Sequence, residues 1–215
     1  MYKKIKILVL GDSLCLPRNE PEKVNLWQTW PYLLKINNDF EVIQLGIGGA
    51  TIKNLYEQSS YYFPSEPDIV IIQVGIVDCA PRALGNLEKE IINSNRLLSY
   101  LFHHLLPTKF MRRIRKKTYT NSSDFSSYIL KIKNRFSNSK IIWIGIVPVS
   151  GDYEKTVPGI SGNIIKYNKI IEEKLICNNI FCSTDAIPLD GIMSDHHHLS
   201  SIGHEWIFQK ISRLI

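Results

Sequence analysis

Two short stretches far apart in the chain hold the residues whose types and spacing suggest chemistry. Ser13 stands in Gly11-Asp12-Ser13-Leu14, directly behind the apolar run Ile5 to Leu10. A turn at that place lifts a hydroxyl to the mouth of a sheet, which is where a nucleophile works. A hydroxyl is a weak nucleophile at neutral pH until a base takes its proton, so a histidine must reach the same edge. Asp195-His196-His197-His198, ahead of Ser200-Ser201-Ile202-Gly203-His204, offers one. The short acid-to-histidine spacing ahead of the last helix lets one carboxylate orient an imidazole that then faces Ser13. The chemistry implied is nucleophilic attack by a serine hydroxyl, and it requires the fold to close the two stretches on each other.

The elements between them are suited to that task. Ile5 to Leu10, Val42 to Leu45, Ile69 to Val74 and Ile141 to Ile144 are apolar runs, each ending before a glycine, and Ile180-Phe181-Cys182 is a shorter fifth. Near-continuous apolar strands belong to sheets covered on both faces. Helical segments are predicted around Leu26 to Ile36, Thr51 to Ser59, Leu84 to Leu106, Phe125 to Arg135, Asn163 to Cys177 and Ser201 to Leu214, with Ser123 or Asp124 capping the fourth. The strict alternation of strand and helix points to a doubly wound parallel α/β sheet with right-handed crossovers. Ligands of such sheets sit at the carboxyl ends of the strands. Gly11-Asp12-Ser13, Gly46-Ile47-Gly48-Gly49 and Gly75-Ile76-Val77-Asp78 all fall there.

With these residues in place, the chain resembles the SGNH hydrolase superfamily, the GDSL-type esterases and lipases, over nearly its whole length. Gly11-Asp12-Ser13-Leu14 is similar to the family's first block and Asp195-x-x-His198 to its last. The resemblance implies a flavodoxin-like three-layer α/β/α sandwich with a five-stranded parallel sheet in the order 2-1-3-4-5. It implies Ser13 as nucleophile, His198 as general base and acid, and Asp195 as the residue orienting His198. Gly46 to Thr51 resembles the second block, which makes Gly49 an oxyanion donor beside the Ser13 N–H. The third block, usually G-x-N-D, reads Gly75-Ile76-Val77-Asp78, so Val77 stands where an asparagine would give a third donor. An oxyanion donor is worth about 10²–10³ in rate. Asp78 and Arg82 are candidates for substrate contact, Arg82 also for the missing donor, although an ordinary surface arginine fits the sequence equally well. The activity implied is a carboxylic ester hydrolase removing a small acyl group, O-acetyl above all, from a carbohydrate. An O-acyltransferase acting on a surface polysaccharide or its precursor, and a weakly active or non-catalytic glycan-binding module, are the two alternatives.

Each of these residues has a plainer explanation. Gly-Asp-Ser can be a capped strand-to-helix turn, and Cys15 and Cys79 can be small core residues. The histidine triplet can bind a metal, but consecutive residues rarely face one ion; no metal and no cofactor is expected. His196 and His197 read as loop residues, His204 as a packing or capping residue, and Trp27, Trp30 and Tyr32 as core before sugar platform.

The 215 residues, 44% hydrophobic and 21% charged, suit one globular domain and exclude disorder and a disulfide scaffold. No apolar run reaches the roughly 18–20 residues of a bilayer span. Met1 to Leu10 lacks a signal-peptide pattern and the four cysteines form no C-x-x-C, so a cytoplasmic enzyme is expected. The net charge of +6 is local, because Lys109, Arg112, Arg113, Arg115, Lys116 and Lys117 are six of the 26 bases, and the other 20 match the 20 acids. A nucleic-acid footprint spread over a face is therefore disfavoured. The segment 107–122 reads as a basic insertion in the crossover before the fourth strand. It is either a solvated face or a peripheral contact of Lys109 to Lys117 with an anionic inner membrane face or an acidic glycan.

Overall fold

The computed structural model describes residues 4–36, 39–84, 94, 108–115, 117–176 and 178–215. Five strands, β1 (Ile5–Gly11), β2 (Phe40–Gly46), β3 (Ile69–Gln73), β4 (Lys140–Ile144) and β5 (Ile180–Cys182), form one parallel sheet in the order β2-β1-β3-β4-β5. This is the order the resemblance implies. Every residue of β3 is buried and β1 is buried from Ile7 onward, as expected of central strands covered on both faces. The edge strand β2 is only half-buried.

Helices α1 (Trp30–Lys35) and α8 (Ser201–Ser212) pack together. A second group consists of α2 (Ile52–Ser59), α5 (Ser122–Arg135) and α7 (Ile160–Lys174), with α5 lying against both others. Short helices α3 (Ile76–Cys79), α4 (Thr108–Arg115) and α6 (Gly151–Thr156) and four 3-10 turns are the other elements among the described residues. Trp30, fully buried, fastens the first group to the sheet: its indole N–H donates to Gln73 Oε1 at 2.7 Å. Its backbone N–H donates to His204 Nδ1 at 3.3 Å, which ties α1 to α8. His204 is thus a packing residue, and its burial depresses its pKa to about 4, keeping the ring neutral and able to accept that bond. Trp27, by contrast, is 61% exposed.

Several boundaries differ from the sequence reading for local reasons. The first helix is broken at Thr29 into a 3-10 turn over Leu26–Gln28 and α1, because Pro31 suits the first turn of a helix and not its interior. Asn121, rather than Ser123 or Asp124, caps α5, its side chain accepting from Asp124 N–H at 2.9 Å. The last two long helices end at Lys174 and Ser212, short of Cys177 and Leu214. The helix expected over Leu84 to Leu106 lies almost wholly outside the described residues, as do Pro107, Lys116 and Cys177.

Within the basic segment, two of the cations serve the fold. Arg112 donates to the Thr156 carbonyl at 3.0 Å and Arg115 to the Ala83 carbonyl at 3.1 Å. Phe110, Arg113 and Ile114 form the exposed side of α4, at the i, i+3, i+4 spacing of one helix face. No helix among the described residues is long and apolar enough to cross a membrane.

Candidate active site

Register places the site. Gly11 pairs with Gly46 on one side and with Gln73 on the other, so β1, β2 and β3 end level and their loops share one edge. Gly11 closes β1, and the 3-10 turn that follows folds back against it. A Cβ there would lie 2.4 Å from Cys15 Sγ, so the turn tolerates only glycine. Asp12 then caps the 3-10 turn Ser13–Cys15, its carboxylate accepting from Leu14 N–H at 2.9 Å. Asp12 is fully buried, and that burial raises its pKa to about 7. Its work is to fix the backbone that presents Ser13.

The histidine arrives on a loop closed by its own hydrogen bonds. Met193 N–H donates to the His198 carbonyl at 2.8 Å and His196 N–H to the Met193 carbonyl at 2.9 Å. His196 turns the chain at φ 69°, a left-handed conformation uncommon outside glycine. Asp195 Oδ1 accepts from the backbone N–H groups of His197 and His198, at 3.2 and 3.0 Å. Its other oxygen, Oδ2, lies 2.7 Å from His198 Nδ1. The far nitrogen of that ring, Nε2, is 3.1 Å from Ser13 Oγ. Ser13, His198 and Asp195 thus form a continuous hydrogen-bonded row across 185 residues of sequence. Burial would raise the Asp195 pKa, but the bonds from the His198 ring and the two backbone N–H groups outweigh it, and the carboxylate stays below its ordinary value. For His198, burial and the neighbouring His197 lower the pKa to about 4 against the opposing pull of Asp195.

A cavity of about 360 Å³ opens over this row, with Ser13, Gly49, Val77, Tyr153, His197 and His198 in its wall. Gly49 is exposed at φ 71°, and its N–H and that of Ser13 take part in no backbone hydrogen bond among the described residues. Both amides are therefore at hand for an oxyanion. Val77 faces the cavity with a side chain that cannot donate. A hollow of about 430 Å³ beside α7, walled by Ile164, Ile165 and Phe181, holds no nucleophile–base pair, so size alone does not mark the site.

Of the two residues expected at the substrate, the structure brings Arg82 to the cavity and removes Asp78. Asp78 is fully buried; its carboxylate accepts from Ile52 N–H at 3.0 and 3.2 Å and from the Thr120 hydroxyl. It joins the end of β3 to the start of α2 and is a positioning residue. Arg82 lines the cavity with its guanidinium 4.0 Å over the Tyr119 ring and its Nε buried without a partner among the described residues. His197, Tyr153 and Arg18 also stand in the wall, none of them expected there from the sequence. His197, expected as a plain loop residue, is sandwiched between Tyr153, at 4.8 Å and nearly parallel, and His198, at 4.0 Å. Arg18 comes from the loop after the nucleophile turn, held by paired backbone bonds of 2.8 Å to Val24, and places a guanidinium nitrogen 2.5 Å from His198 Nε2. Cys15 and Cys79 are buried, and burial pushes the Cys15 thiol up to about 12, which keeps it protonated and unreactive.

Asp195, His197 and His198 also bring potential metal ligands within 4.8 Å of one another. The 2.7 Å between Asp195 Oδ2 and His198 Nδ1 is shorter than the about 3.3 Å separating two ligands of a tetrahedral ion bound at roughly 2.0 Å. It is the distance of a hydrogen-bonded pair.

A parallel sheet in the order 2-1-3-4-5, carrying a Ser–His–Asp row at the carboxyl edge of its strands, defines an SGNH-type hydrolase fold. Residues 9–206 match the GDSL-like lipase/acylhydrolase family, and the chain belongs to that family, whose members are esterases and acylhydrolases. The fold is similar to the lipase/acylhydrolase from Enterococcus faecalis, with a TM-score of 0.64 and 16% identity over 98% of this chain and 94% of that one. It is also similar to Est24, a carbohydrate acetylesterase from Sinorhizobium meliloti, with a TM-score of 0.57 and 16% identity over 99% of this chain and 100% of that one. The psychrotrophic esterase EstA from Pseudoalteromonas sp. gives 0.56 and 16%, over 97% and 94%. The sequence has no match among curated proteins.

Proposed function

We propose that this hydrolase is a serine esterase that removes a small acyl group, O-acetyl above all, from a carbohydrate. Ser13 Oγ attacks the ester carbonyl carbon while His198 Nε2 takes the hydroxyl proton. The oxyanion draws on the N–H groups of Ser13 and Gly49. His198 returns the proton to the departing sugar alcohol, and water, activated by the same ring, releases the acyl group as acid. The observation that carries this reading is the unbroken row from Ser13 Oγ through both nitrogens of His198 to Asp195, at 3.1 and 2.7 Å. A small acyl group suits a cavity of about 360 Å³, near the lower end of ligand pockets, with Val77 and Tyr153 in its wall. The carbohydrate part is supported by the likeness to Est24. Hydrolysis of p-nitrophenyl acetate and of acetylated sugars, with and without the Ser13 hydroxyl, tests it.

Val77 favours a second reading, a weakly active glycan-binding module, because the oxyanion would have only two donors. Stoichiometric glycan binding without turnover of any acetylated sugar would select that reading.

The base must be neutral to accept a proton, so the low pKa of His198 fixes the acid limb of the rate. With that pKa at about 4, kcat/KM should hold level from neutral pH down to about 5 and fall about tenfold per unit below 4. Stopped-flow or initial-rate profiles on p-nitrophenyl acetate would show it; a midpoint near the ordinary histidine value of about 6.5 would contradict the buried, neutral base.

We also propose that the exposed side of α4 rests on an anionic membrane surface, with Phe110 and Ile114 entering the interface and Arg113 meeting lipid phosphates. Replacing Arg113 by Glu together with Ile114 by Ser should reduce cosedimentation with phosphatidylserine vesicles severalfold, given about 1 kcal/mol per interfacial base. Sedimentation equal to that of the unaltered protein would return α4 to solvent.

A further inference from the structure

Two donors converge on one acceptor in this site. A guanidinium has no lone pair to offer, so Arg18, 2.5 Å from His198 Nε2, can only donate to it. Nε2 must then present its lone pair, leaving the ring proton on Nδ1, facing Asp195. That is the form required of the base, but the same lone pair is the one needed by the Ser13 hydroxyl at 3.1 Å. With Arg18 seated there, the base is oriented and occupied.

The surroundings of Arg18 say what would move it. Neither Arg18 nor Arg82, the two permanent cations in the cavity wall, makes an ion pair with a carboxylate among the described residues. Asp195 beneath them is held by His198 and by two backbone N–H groups. The other rings packed beside the imidazole are His197 and, beyond it, Tyr153, neither of which brings a carboxylate to Arg18. A guanidinium fork pairs far better with a carboxylate or phosphate, through two parallel charge-assisted bonds, than with the one imidazole nitrogen and the Glu20 carbonyl, 3.5 Å away, that Arg18 meets here. The loop carrying Arg18 is fastened by its backbone at Val24, and Glu22 accepts from Ser194 N–H at 3.2 Å, so the side chain can swing while its base stays put.

We infer that the substrate is an acidic carbohydrate ester, and that Arg18 is its specificity residue, leaving His198 Nε2 for a substrate carboxylate or phosphate and thereby freeing the base for Ser13. This rests on the serine-esterase reading and adds to it the charge of the substrate and a reason for the arginine. Arg82 is the second cation available to the same anion. A neutral ester has nothing to draw Arg18 away and reacts only in the fraction of molecules where the arginine has already left.

The test compares acetylated methyl glucuronoside as the free acid, the same compound as its methyl ester, and an acetylated glucose phosphate, on the unaltered protein and on Arg18→Gln and Arg18→Lys. The unaltered protein should prefer one or both anions over the methyl ester by about tenfold or more in kcat/KM, the value of a charge-assisted pair, and the better of the two identifies the anion. Arg18→Gln should abolish that preference chiefly through KM on the anionic ester, while raising kcat/KM on the methyl ester by releasing Nε2. Arg18→Lys, which keeps the charge without the fork, should fall between. No anion preference in the unaltered protein, or equal losses on charged and neutral esters in Arg18→Gln, would overturn the inference while leaving the esterase reading intact. If no ester turns over in a Ser13-dependent way, the esterase reading fails, and calorimetric binding of glucuronate and its methyl ester to Ser13→Ala protein decides the rest. Anion preference lost on adding Arg18→Gln supports the recognition role; equal binding of both sugars ends it.

Discussion

Ser13→Ala is expected to lower kcat on p-nitrophenyl acetate by about 10⁴–10⁶-fold, the range seen when the nucleophile of a serine triad is removed. The effect should fall on kcat and spare KM, because the methyl group left behind fits the space of the hydroxyl. Among the described residues, no other group at the cavity can take over. Cys15, two residues on, is fully buried and its thiol is pushed up to about 12; Asp12 is also enclosed and tied to Leu14 N–H. The residual rate would report the two oxyanion amides alone. Stability should change little, since Ser13 Oγ makes its one described bond to His198, and a melting curve run beside the assay separates lost chemistry from lost folding. Activity within tenfold of the unaltered enzyme would place the nucleophile elsewhere.

Asp195→Asn is expected to cost about 10⁴-fold in kcat, and the reason is directional. The carboxylate oxygen at 2.7 Å accepts from Nδ1–H and holds the ring in the form that leaves Nε2 open. An amide nitrogen at that position donates, which favours the proton on Nε2, where it blocks abstraction from Ser13. The variant should keep its fold if the asparagine oxygen stays on the backbone N–H groups of His197 and His198. Its pH profile discriminates. Asp195 raises the His198 pKa, so its removal must move the acid limb below the present value of about 4 as the plateau falls. A limb that stays in place with the plateau unchanged would reduce Asp195 to a loop cap. Combining the change with Ser13→Ala should add almost nothing if the three residues act as a unit, as triads do.

How far the sequence disclosed this molecule follows from how local each signal is. Strands β1 and β3 are legible because central parallel strands must be apolar along their whole length, and Ile69 to Gln73 is buried at every position. Ser13, Asp195 and His198 are legible because short blocks at a strand end and before a helix carry them. Helix α6 was invisible, since six residues, Gly151–Thr156, are too few to display a helical period. Asp78 misled because a carboxylate at a sheet edge suggests a ligand, whereas its partners, Ile52 and Thr120, lie 26 and 42 residues away and mark it as a brace. Arg18 and His197 escaped for the same reason. Their meaning is set by what the chain folds against them, and neither stands at a spacing that a turn or helix repeats.

The 185 residues separating the hydroxyl from the imidazole make catalysis an assay of complete folding. Ser13 depends on the level ends of three strands, and His198 on a loop that precedes α8, the helix fastened to α1 through His204 and Trp30. Intermediates with a formed sheet but an undocked final helix would look native to far-ultraviolet circular dichroism and be silent toward esters. During denaturant titration, turnover should therefore vanish no later than the spectroscopic signal, and recovery of turnover on refolding should report the last docking event.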